Sequence, residues 1–334
     1  MVNVYFYISI ALLSIDCFIV QLLVRGFVKR NIGPNLHFNL SSSLANSIHP
    51  RNQNNEGNVD RLAVMLVYST EDESKEIKNL KYLKCALQQL YANVGQHTPL
   101  DAFVWVAPER LLSYRSQLES MFPTVYVMAL DEESWTLPNS IGHHSEWVFS
   151  DIHSPSYYKM GLWRLTFSLA FIRARGYQYM LQMDDDTFIL DNIDFNIVSY
   201  FRRKGVSMGV RRKVQVDLPA VVLGLAELTR FWMVTRNVTE PTGVLFDHLA
   251  PPSMEGLTSA GWDRHFHIGA FMIFDVDFWF QDTVQDYLSL VLATRAATQM
   301  RWQDQVGLHE FLVPLLLSLR AILLAVAALF AVIT

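Results

Sequence analysis

The sequence predicts an α/β fold with a mostly parallel central sheet flanked by helices. Two observations lead to this prediction. Short apolar runs rich in β-branched and aromatic residues recur along the chain, and between them lie longer segments with apolar residues at every third or fourth position. Strand–helix–strand order is typical of parallel sheets joined by right-handed crossovers. Ligands of such folds bind beyond the carboxyl ends of the strands.

The first half of the domain is predicted to contain three strands and two helices. The strands are predicted at Leu62–Ser69, Asp101–Ala107 and Thr124–Leu130. Apolar residues at helical spacing predict a helix over Asp72–Tyr91, and a second helix is predicted to begin at Pro108.

The second half begins with an amphipathic helix predicted over Pro155–Arg175 and closed by Gly176. A strand at Tyr177–Met183 follows. The remaining predicted elements are, in chain order, a helix over Asn192–Arg203, strands at Ser207–Arg211 and Phe266–Phe274, and a helix from Asp275 to about Ala296.

Composition excludes several functional classes. Hydrophobic residues make up 51% of the chain and charged residues 18%, whereas an ordinary soluble domain is about 25% charged, so the chain is not disordered and part of it is expected in lipid. The formal net charge of −5 disfavours nucleic acid as a partner. Two cysteines exclude a disulfide scaffold and a cysteine-based zinc cluster. The motifs of P-loop proteins, serine hydrolases and zinc proteases are absent.

Both ends of the chain are apolar. Residues 1–30 are predicted to be a signal-anchor transmembrane segment and its flank, because Val4–Val24 has one charge and can cross a bilayer core of about 30 Å. The segment is too long for a cleaved signal peptide and lacks a cleavage site. Residues 31–60 are polar and are predicted to form a flexible stem. Residues 311–334 form an apolar tail, for which a helix and a second membrane segment are both open.

Signals for the orientation of the anchor conflict. Arg25, Lys29 and Arg30 follow the span, and the positive-inside rule would place them in the cytosol. Two N-glycosylation sequons, at Asn39 and Asn237, have meaning only in a lumenal chain. Together with the chemistry described next, they favour a lumenal domain.

The segment most informative about chemistry is Tyr179–Leu190, in which an apolar strand runs into Asp184, Asp185 and Asp186. In extended backbone, residues i and i+2 point the same way, so Asp184 and Asp186 are predicted to face one ion. Two carboxylates at a strand end suit Mn²⁺ or Mg²⁺, with diphosphate oxygens as further ligands. This is the logic of the DxD motif of nucleotide-sugar glycosyltransferases, in which the ion neutralises the departing diphosphate. A solvated acidic turn is the alternative.

Other candidate residues lie in three further segments. Near the start of the predicted helix before this strand, Tyr158 is a candidate aromatic platform, and Lys159 and Arg164 are candidate cations for a donor's base and diphosphate. His267 in the late strand is a candidate contact for substrate or metal. A third set follows the last predicted helix and consists of Arg301, Asp304 and His309. For each residue a purely structural role is the alternative.

Together these segments resemble glycosyltransferase family 15, the fungal-type α-1,2-mannosyltransferases, over roughly Tyr157–His309. The family has a Tyr-basic-Met helix start, an acidic strand end, an aromatic residue followed by an Asp-Ile-Asp-like segment, a late Asp-Leu-Asp-Phe-Phe and a closing Arg-Trp-Gly-Asp. The matching segments are Tyr158-Lys159-Met160, Asp184-Asp185-Asp186, Phe188 with Asp191-Asn192-Ile193-Asp194, Asp275-Val276-Asp277-Phe278-Trp279 and Arg301-Trp302-Gln303-Asp304.

The resemblance implies a GT-A nucleotide-diphospho-sugar transferase fold over residues 61–310, with GDP-mannose as donor, Mn²⁺ (or Mg²⁺) as cofactor and retention at the anomeric carbon. It also implies a glycan or glycoprotein acceptor and a single-pass type II protein of the Golgi (or ER) membrane. The roles that follow are metal binding by Asp184, Asp186 and His309, donor binding by Tyr158, Lys159, Arg164, Asp185 and His267, and catalysis by Arg301 and Asp304.

The sequence departs from the family pattern at several positions. The family's late-strand Glu, proposed as nucleophile or anion stabiliser, aligns with Met272, and a family metal-binding His aligns with Leu308, one residue before His309. Family cysteines near Gly161 and His265 are absent. Two other readings therefore stay open: a GT-A enzyme that uses a UDP-sugar, and a non-catalytic, membrane-anchored relative.

Overall fold

The structure is a computed structural model. It describes residues 58–299, apart from 59, 69–72, 133, 138–142, 148–149, 152, 211–213, 217–223, 238–264 and 268–269. The predicted anchor, most of the stem and the apolar tail lie outside the described residues, as do Arg301, Asp304 and His309. No helix among the described residues is long and apolar enough to cross a membrane.

Eight strands are described, and six of them form one central sheet. They are β1 (Leu62–Tyr68), β2 (Leu100–Val106), β3 (Val125–Ala129), β4 (Tyr179–Met183), β5 (Met208–Val210), β6 (Val214–Val216), β7 (His265–His267) and β8 (Phe271–Asp275). The order in the large sheet is β3-β2-β1-β4-β8-β5, and β6 pairs with β7 in a separate two-stranded sheet. β1 to β4 pair in parallel, whereas β8 runs antiparallel to both β4 and β5. The predicted mostly parallel α/β sheet is therefore confirmed.

The helices follow the strands in the predicted alternation. They are α1 (Glu73–Asn93), α2 (Leu111–Leu118), α3 (Pro155–Trp163), α4 (Leu169–Ala174), α5 (Ile197–Lys204), α6 (Leu225–Thr235), α7 (Val276–Trp279), α8 (Asp282–Ala293) and α9 (Ala296–Gln299). A π-helical segment, Arg164–Ser168, joins α3 to α4. Gly176 closes α4 at φ 75°, in the left-handed region that glycine adopts without a Cβ penalty.

Three predicted elements differ from the structure. The single late strand Phe266–Phe274 is wrong: its beginning is β7 and its end is β8, in different sheets. The long helix predicted from Asp275 is interrupted at Phe280–Gln281. The helix predicted from Asn192 begins at Ile197, because the Asn196 side chain caps it by accepting a hydrogen bond from the Ser199 N–H at 2.8 Å. An apolar run does not reveal where a strand changes its pairing partner, since both partners need the same apolar faces.

The strands in the middle of the sheet are buried on both faces. Every residue of β1, β2 and β4 is buried, as expected for a parallel sheet covered by helices. On the face toward the π-helical segment, the indole of Trp105 packs against the rings of Trp163, Phe167 and Phe171 at centroid distances of 5.2, 5.3 and 4.9 Å. This aromatic layer holds the segment between α3 and α4 against the sheet.

At the amino ends of the strands, Asp101 forms a buried polar network. Arg61 donates two hydrogen bonds to its carboxylate, at 2.5 and 2.7 Å, and the Tyr177 hydroxyl donates a third at 2.8 Å. The Asp101 side chain is 5% exposed. Burial, with the nearby Asp101 carboxylate, raises the pKa of Tyr177 far above its usual range. This network lies at the edge opposite the strand ends where ligands are expected, so it is a stability element.

Substitution of Asp101 by Asn is therefore expected to lower the free energy of unfolding by about 2 kcal/mol, because a buried, charge-assisted hydrogen-bond acceptor is lost. Tyr177→Phe removes one hydrogen bond and is expected to cost about 1 kcal/mol. Urea denaturation followed by circular dichroism measures both. Equal unfolding midpoints for Asp101→Asn and the native chain would contradict the assignment.

A second ion pair joins α6 to α8. Arg236 donates to both carboxylate oxygens of Asp286, at 2.6 and 2.7 Å, and the Trp232 indole N–H donates at 2.8 Å. Burial by itself would raise the pKa of Asp286, but these hydrogen bonds outweigh it and the pKa is lowered. The pair therefore stabilises the fold above the unfolded pKa of Asp, about 4, and this contribution is lost as pH falls through the lower folded value.

The Asp286→Asn variant should consequently lose stability relative to the native chain at pH 7 but approach it as the pH falls through the lowered pKa of Asp286. Because both groups are partly exposed, the difference at pH 7 is expected to be at most about 1 kcal/mol. Thermal unfolding of the two proteins across this pH range provides the measurement. A difference that is constant with pH would show that ionisation of Asp286 contributes nothing.

Candidate functional site

The three aspartates lie in a tight turn directly after β4. β4 ends at Met183, and the Thr187 N–H donates to the Asp184 carbonyl at 3.1 Å, which closes the turn. The Asp184 N–H donates to the Ala270 carbonyl at 3.1 Å, just before β8. The prediction of extended backbone across the three residues is thus wrong, because aspartate readily forms turns once strand pairing stops. The turn geometry, and not strand alternation, sets the directions of these carboxylates.

The turn lies at the carboxyl edge of the parallel strands. β4 lies between β1 and β8, and β1, β2 and β4 all run in the same direction. Side chains placed beyond this edge occupy the position where open α/β sheets bind their ligands. The acidic turn therefore has the placement that the sequence predicts for a donor site.

Arg164 reaches the turn from the π-helical segment. Its Nη2 donates to Asp184 Oδ1 at 2.6 Å, and the side chains of Arg164 and Asp184 are 3% and 27% exposed. Both residues are predicted from the sequence to belong to one site. The structure brings them into contact although they are 20 positions apart in the chain. Donor binding by Arg164 itself stays a prediction.

The turn concentrates negative charge. Burial, together with the Asp186 and Asp184 carboxylates, raises the pKa of Asp185 to about 7. Burial and the Asp184 carboxylate also raise the pKa of Asp186. Both shifts indicate that three ionised carboxylates repel one another in the turn, with Arg164 the cation that contacts them among the described residues. A divalent cation would relieve this repulsion.

Whether the turn suits a metal can be judged from its donor set. No group of three or more His, Cys, Asp or Glu side chains is arranged to hold a metal within the described part of the chain. His309, the third predicted ligand, lies outside it. Mn²⁺ and Mg²⁺ in nucleotide sites take one or two carboxylates and complete their shell with phosphate oxygens and water. Asp184 and Asp186 fit this partial role, and their assignment as metal ligands stays a prediction.

The aromatic residues at the start of α3 form a cluster. Tyr158 has 0% exposure and packs against the rings of Trp147 and His144, at centroid distances of 5.1 and 5.7 Å. The half-buried Tyr157 stacks on His153 at 4.1 Å and 12°. Of the two tyrosines, Tyr157 is therefore better placed to meet a ligand, a distinction that a Tyr-Tyr pair in sequence does not reveal.

The structure gives less detail for Lys159 and His267, two other residues predicted to bind the donor. Lys159 is half-buried on α3, next to the aromatic cluster. His267 lies in β7, of which the structure describes the backbone pairing only. Their assignments to donor binding stay predictions.

Met272 lies in the middle of β8 and faces Gln182 across the ladder with β4. Met272 is 1% exposed and Gln182 is 2% exposed. The position that aligns with the family's Glu therefore carries no carboxylate and is closed to solvent. Gln182, a buried polar residue two positions before Asp184, is not among the site residues predicted from the sequence. A glutamine inside an apolar strand is nevertheless a sign of a buried polar role.

Comparisons with known proteins agree with this architecture. No family model matches the chain, and no curated protein sequence matches it. Among solved structures, the S. cerevisiae mannosyltransferase Ktr4p in complex with GDP has a TM-score of 0.64 at 14% identity, covering 76% of this chain and 66% of that chain. A second structure of Ktr4p has a TM-score of 0.63 at 14% identity, covering 73% and 63%.

The Mn/GDP form of core-mannan synthase A (CmsA/Ktr4) from Aspergillus fumigatus has a TM-score of 0.62 at 15% identity, with coverage of 80% of this chain and 71% of that chain. The chain spans slightly less than two thirds of the yeast chains. Similarity at this level of identity concerns the fold, and it confirms the predicted GT-A-type architecture.

Proposed function

We propose that the chain is a retaining glycosyltransferase that moves mannose from GDP-mannose to a glycan hydroxyl, in the manner of the α-1,2-mannosyltransferases. The observation that carries the proposal is the acidic turn at Asp184–Asp186, at the carboxyl edge of a sheet whose fold is shared with GDP-bound mannosyltransferases. The carboxylates, the buried guanidinium beside them and the aromatic cluster at the start of α3 supply the types of group that a nucleotide-diphosphate donor requires.

Asp184 and Asp186 would hold Mn²⁺ or Mg²⁺, which supplies neutralisation of the negative charge that develops on the departing GDP. Asp184 accepts a hydrogen bond from Arg164 at Oδ1, and its carboxylate would still offer lone pairs to the cation. Lys159 and Arg301 are proposed to bind the diphosphate, and Asp304 to bind the acceptor hydroxyl or to orient Arg301. These roles of Arg301 and Asp304 rest on the sequence.

The reaction that this arrangement favours is front-side attack. The bond between the anomeric carbon and the GDP oxygen breaks, the acceptor oxygen bonds to the same face of that carbon, and the acceptor proton passes to the leaving phosphate oxygen. A covalent intermediate would need a carboxylate near the anomeric carbon, and the aligned position is the buried Met272. Front-side attack requires no such group.

A donor screen tests the proposal. The full chain, purified in detergent with Mn²⁺, is offered GDP-mannose, GDP-fucose, UDP-glucose and UDP-galactose with a mannoside acceptor, and released nucleotide and product are quantified. The expected result is transfer from GDP-mannose, with NMR showing that the configuration at the anomeric carbon is retained. Transfer from a UDP-sugar only would replace the donor assignment, and stabilisation by UDP rather than GDP in a thermal-shift assay would agree with that outcome.

A non-catalytic relative is the second candidate, and Met272 favours it. If the reaction requires the family's Glu, which this chain replaces with Met272, the chain will bind GDP-mannose but neither hydrolyse nor transfer it. Nucleotide binding by calorimetry without turnover in the donor screen would establish this reading, whereas measurable transfer would exclude it.

We also propose that the domain faces the lumen of the Golgi or ER, held by residues 1–30 as a single-pass anchor. The sequons at Asn39 and Asn237 and the glycan acceptor support this orientation. In sealed microsomes the domain should resist added protease and should shift in mobility after endoglycosidase treatment. A protease-sensitive, unglycosylated domain would place it in the cytosol instead.

A further inference from the structure

The helix that carries Arg164 is widened at that residue. From Arg164 to Ser168 the backbone is π-helical, and π-helical turns are rare and concentrated at functional sites. The Ser168 hydroxyl donates to the Arg164 carbonyl at 2.7 Å, and the Thr166 hydroxyl donates to the Leu162 carbonyl at 2.8 Å. These side-chain donors satisfy carbonyls at the place where the regular helical ladder is interrupted.

The side chains in and beside the π-helical segment make two kinds of contact, one apolar and one polar. Trp163 and Phe167 pack on Trp105 of β2, which holds this stretch against the sheet. Arg164, next to Trp163, extends toward the end of β4 and contacts Asp184. The guanidinium is therefore delivered to the acidic turn by a rigid, aromatic-packed element.

The ion pair is too buried to be incidental. At 3% exposure, the Arg164 side chain is removed from water, and such a charge is tolerated only beside an anion with good geometry. Its hydrogen bond to Asp184, at 2.6 Å, has the short distance of a charge-assisted contact. With its side chain 3% exposed and Nη2 on Asp184, Arg164 presents little surface to a donor diphosphate.

We infer that Arg164 is a positioning residue: its hydrogen bond to Asp184 Oδ1 fixes a carboxylate that would hold the cation. The inference rests on the proposed function in that it assumes a divalent cation at the turn. Partners that orient metal-binding groups in this way typically contribute a factor of 10–100 to metal affinity. Arg164 also offsets one of the three carboxylate charges, so that the turn remains folded before the metal arrives.

A competing role makes the opposite prediction. If Arg164 were only a neighbouring positive charge, its removal would leave the turn more negative and would tighten Mn²⁺ binding. If it were a donor ligand, its removal would weaken GDP binding even without metal. Positioning of Asp184 instead predicts weaker Mn²⁺ binding and unchanged metal-free GDP binding.

The test measures Mn²⁺ binding by the full-length chain, from the electron paramagnetic resonance signal of the free ion, for the native protein and three variants. Arg164→Met keeps volume without charge and is expected to weaken Mn²⁺ binding about tenfold. Arg164→Lys keeps the charge and is expected to restore part of the affinity. Arg175→Met is the matched control, because Arg175 is a half-buried arginine that stacks on Phe171 at 3.6 Å and lies at the other end of the same helical stretch.

Several results would overturn the inference: no Mn²⁺ binding by the native chain, native or tighter binding by a folded Arg164→Met, or an equal loss in Arg175→Met. Loss of metal-free GDP binding in Arg164→Met would assign the residue to the donor instead. If Arg164→Met does not fold, Arg164→Lys is the deciding variant. The positioning role predicts that Arg164→Lys binds Mn²⁺ about threefold more weakly than the native chain. Unchanged Mn²⁺ affinity in this variant would refute the inference. Mn²⁺ binding without mannose transfer would refute the proposed function and leave the Arg164 inference standing.

Discussion

Asp186→Ala is expected to lower kcat/KM for mannose transfer by at least about 100-fold, because under the proposed function the departing diphosphate would lose one of the two carboxylates proposed to hold the metal. The loss of activity should be measured at a saturating acceptor concentration and at a Mn²⁺ concentration below saturation. Stability should change little or increase, since burial and the neighbouring Asp184 already disfavour the ionised form of Asp186. Activity and thermal unfolding of the same preparations measure the two effects.

The matched control is Asp282→Ala. Asp282 is an exposed aspartate in the first turn of α8, outside the acidic turn, and its removal should leave transfer near the native rate. The metal assignment is refuted if Asp186→Ala retains full transfer activity with Mn²⁺ present. A loss of activity that is partly recovered by raising the Mn²⁺ concentration would strengthen it, because a weakened site fills at higher metal.

The second large effect concerns the aromatic layer beneath the site. Trp105→Ala is expected to lower the free energy of unfolding by about 3–5 kcal/mol, because it leaves a cavity among Trp163, Phe167 and Phe171. The cavity also removes the surface against which the π-helical segment packs. Mn²⁺ binding by the folded fraction should therefore weaken as well. Denaturant unfolding and the metal titration described above report the two losses separately.

Trp105→Phe is the control for this prediction. The Trp105 indole N–H is buried and has no hydrogen-bond partner among the residues that the structure describes, so its replacement by a ring without a donor leaves most of the packing in place. The expected cost is below about 1.5 kcal/mol. A loss as large as that of Trp105→Ala would contradict the prediction that an aromatic ring at this position is enough to stabilise the layer.

Much of the fold and part of the site are readable from local sequence. The apolar runs at β1, β2, β3 and β4 and the helical spacing in α1 predict their elements closely, because each must bury a defined face. The change of partner between β7 and β8 is not readable, since both are short and lie within one continuous strand-like run. At the site, Asp184 and Arg164 are identifiable as residue types, but their contact is a property of packing.

The turn at Asp184–Asp186 illustrates the division. Sequence by itself determined that carboxylates end a buried strand at the edge where an α/β sheet binds ligands, because the strand's burial and the turn-forming aspartates are local properties. Only the tertiary structure decided that Arg164 pairs with Asp184, that Tyr158 is buried while Tyr157 stacks on His153, and that Gln182 lies opposite Met272. The Gln182–Met272 pairing depends on the register of β8 against β4, and the Arg164–Asp184 contact depends on the π-helical turn. Both arise from long-range packing, which no local pattern encodes.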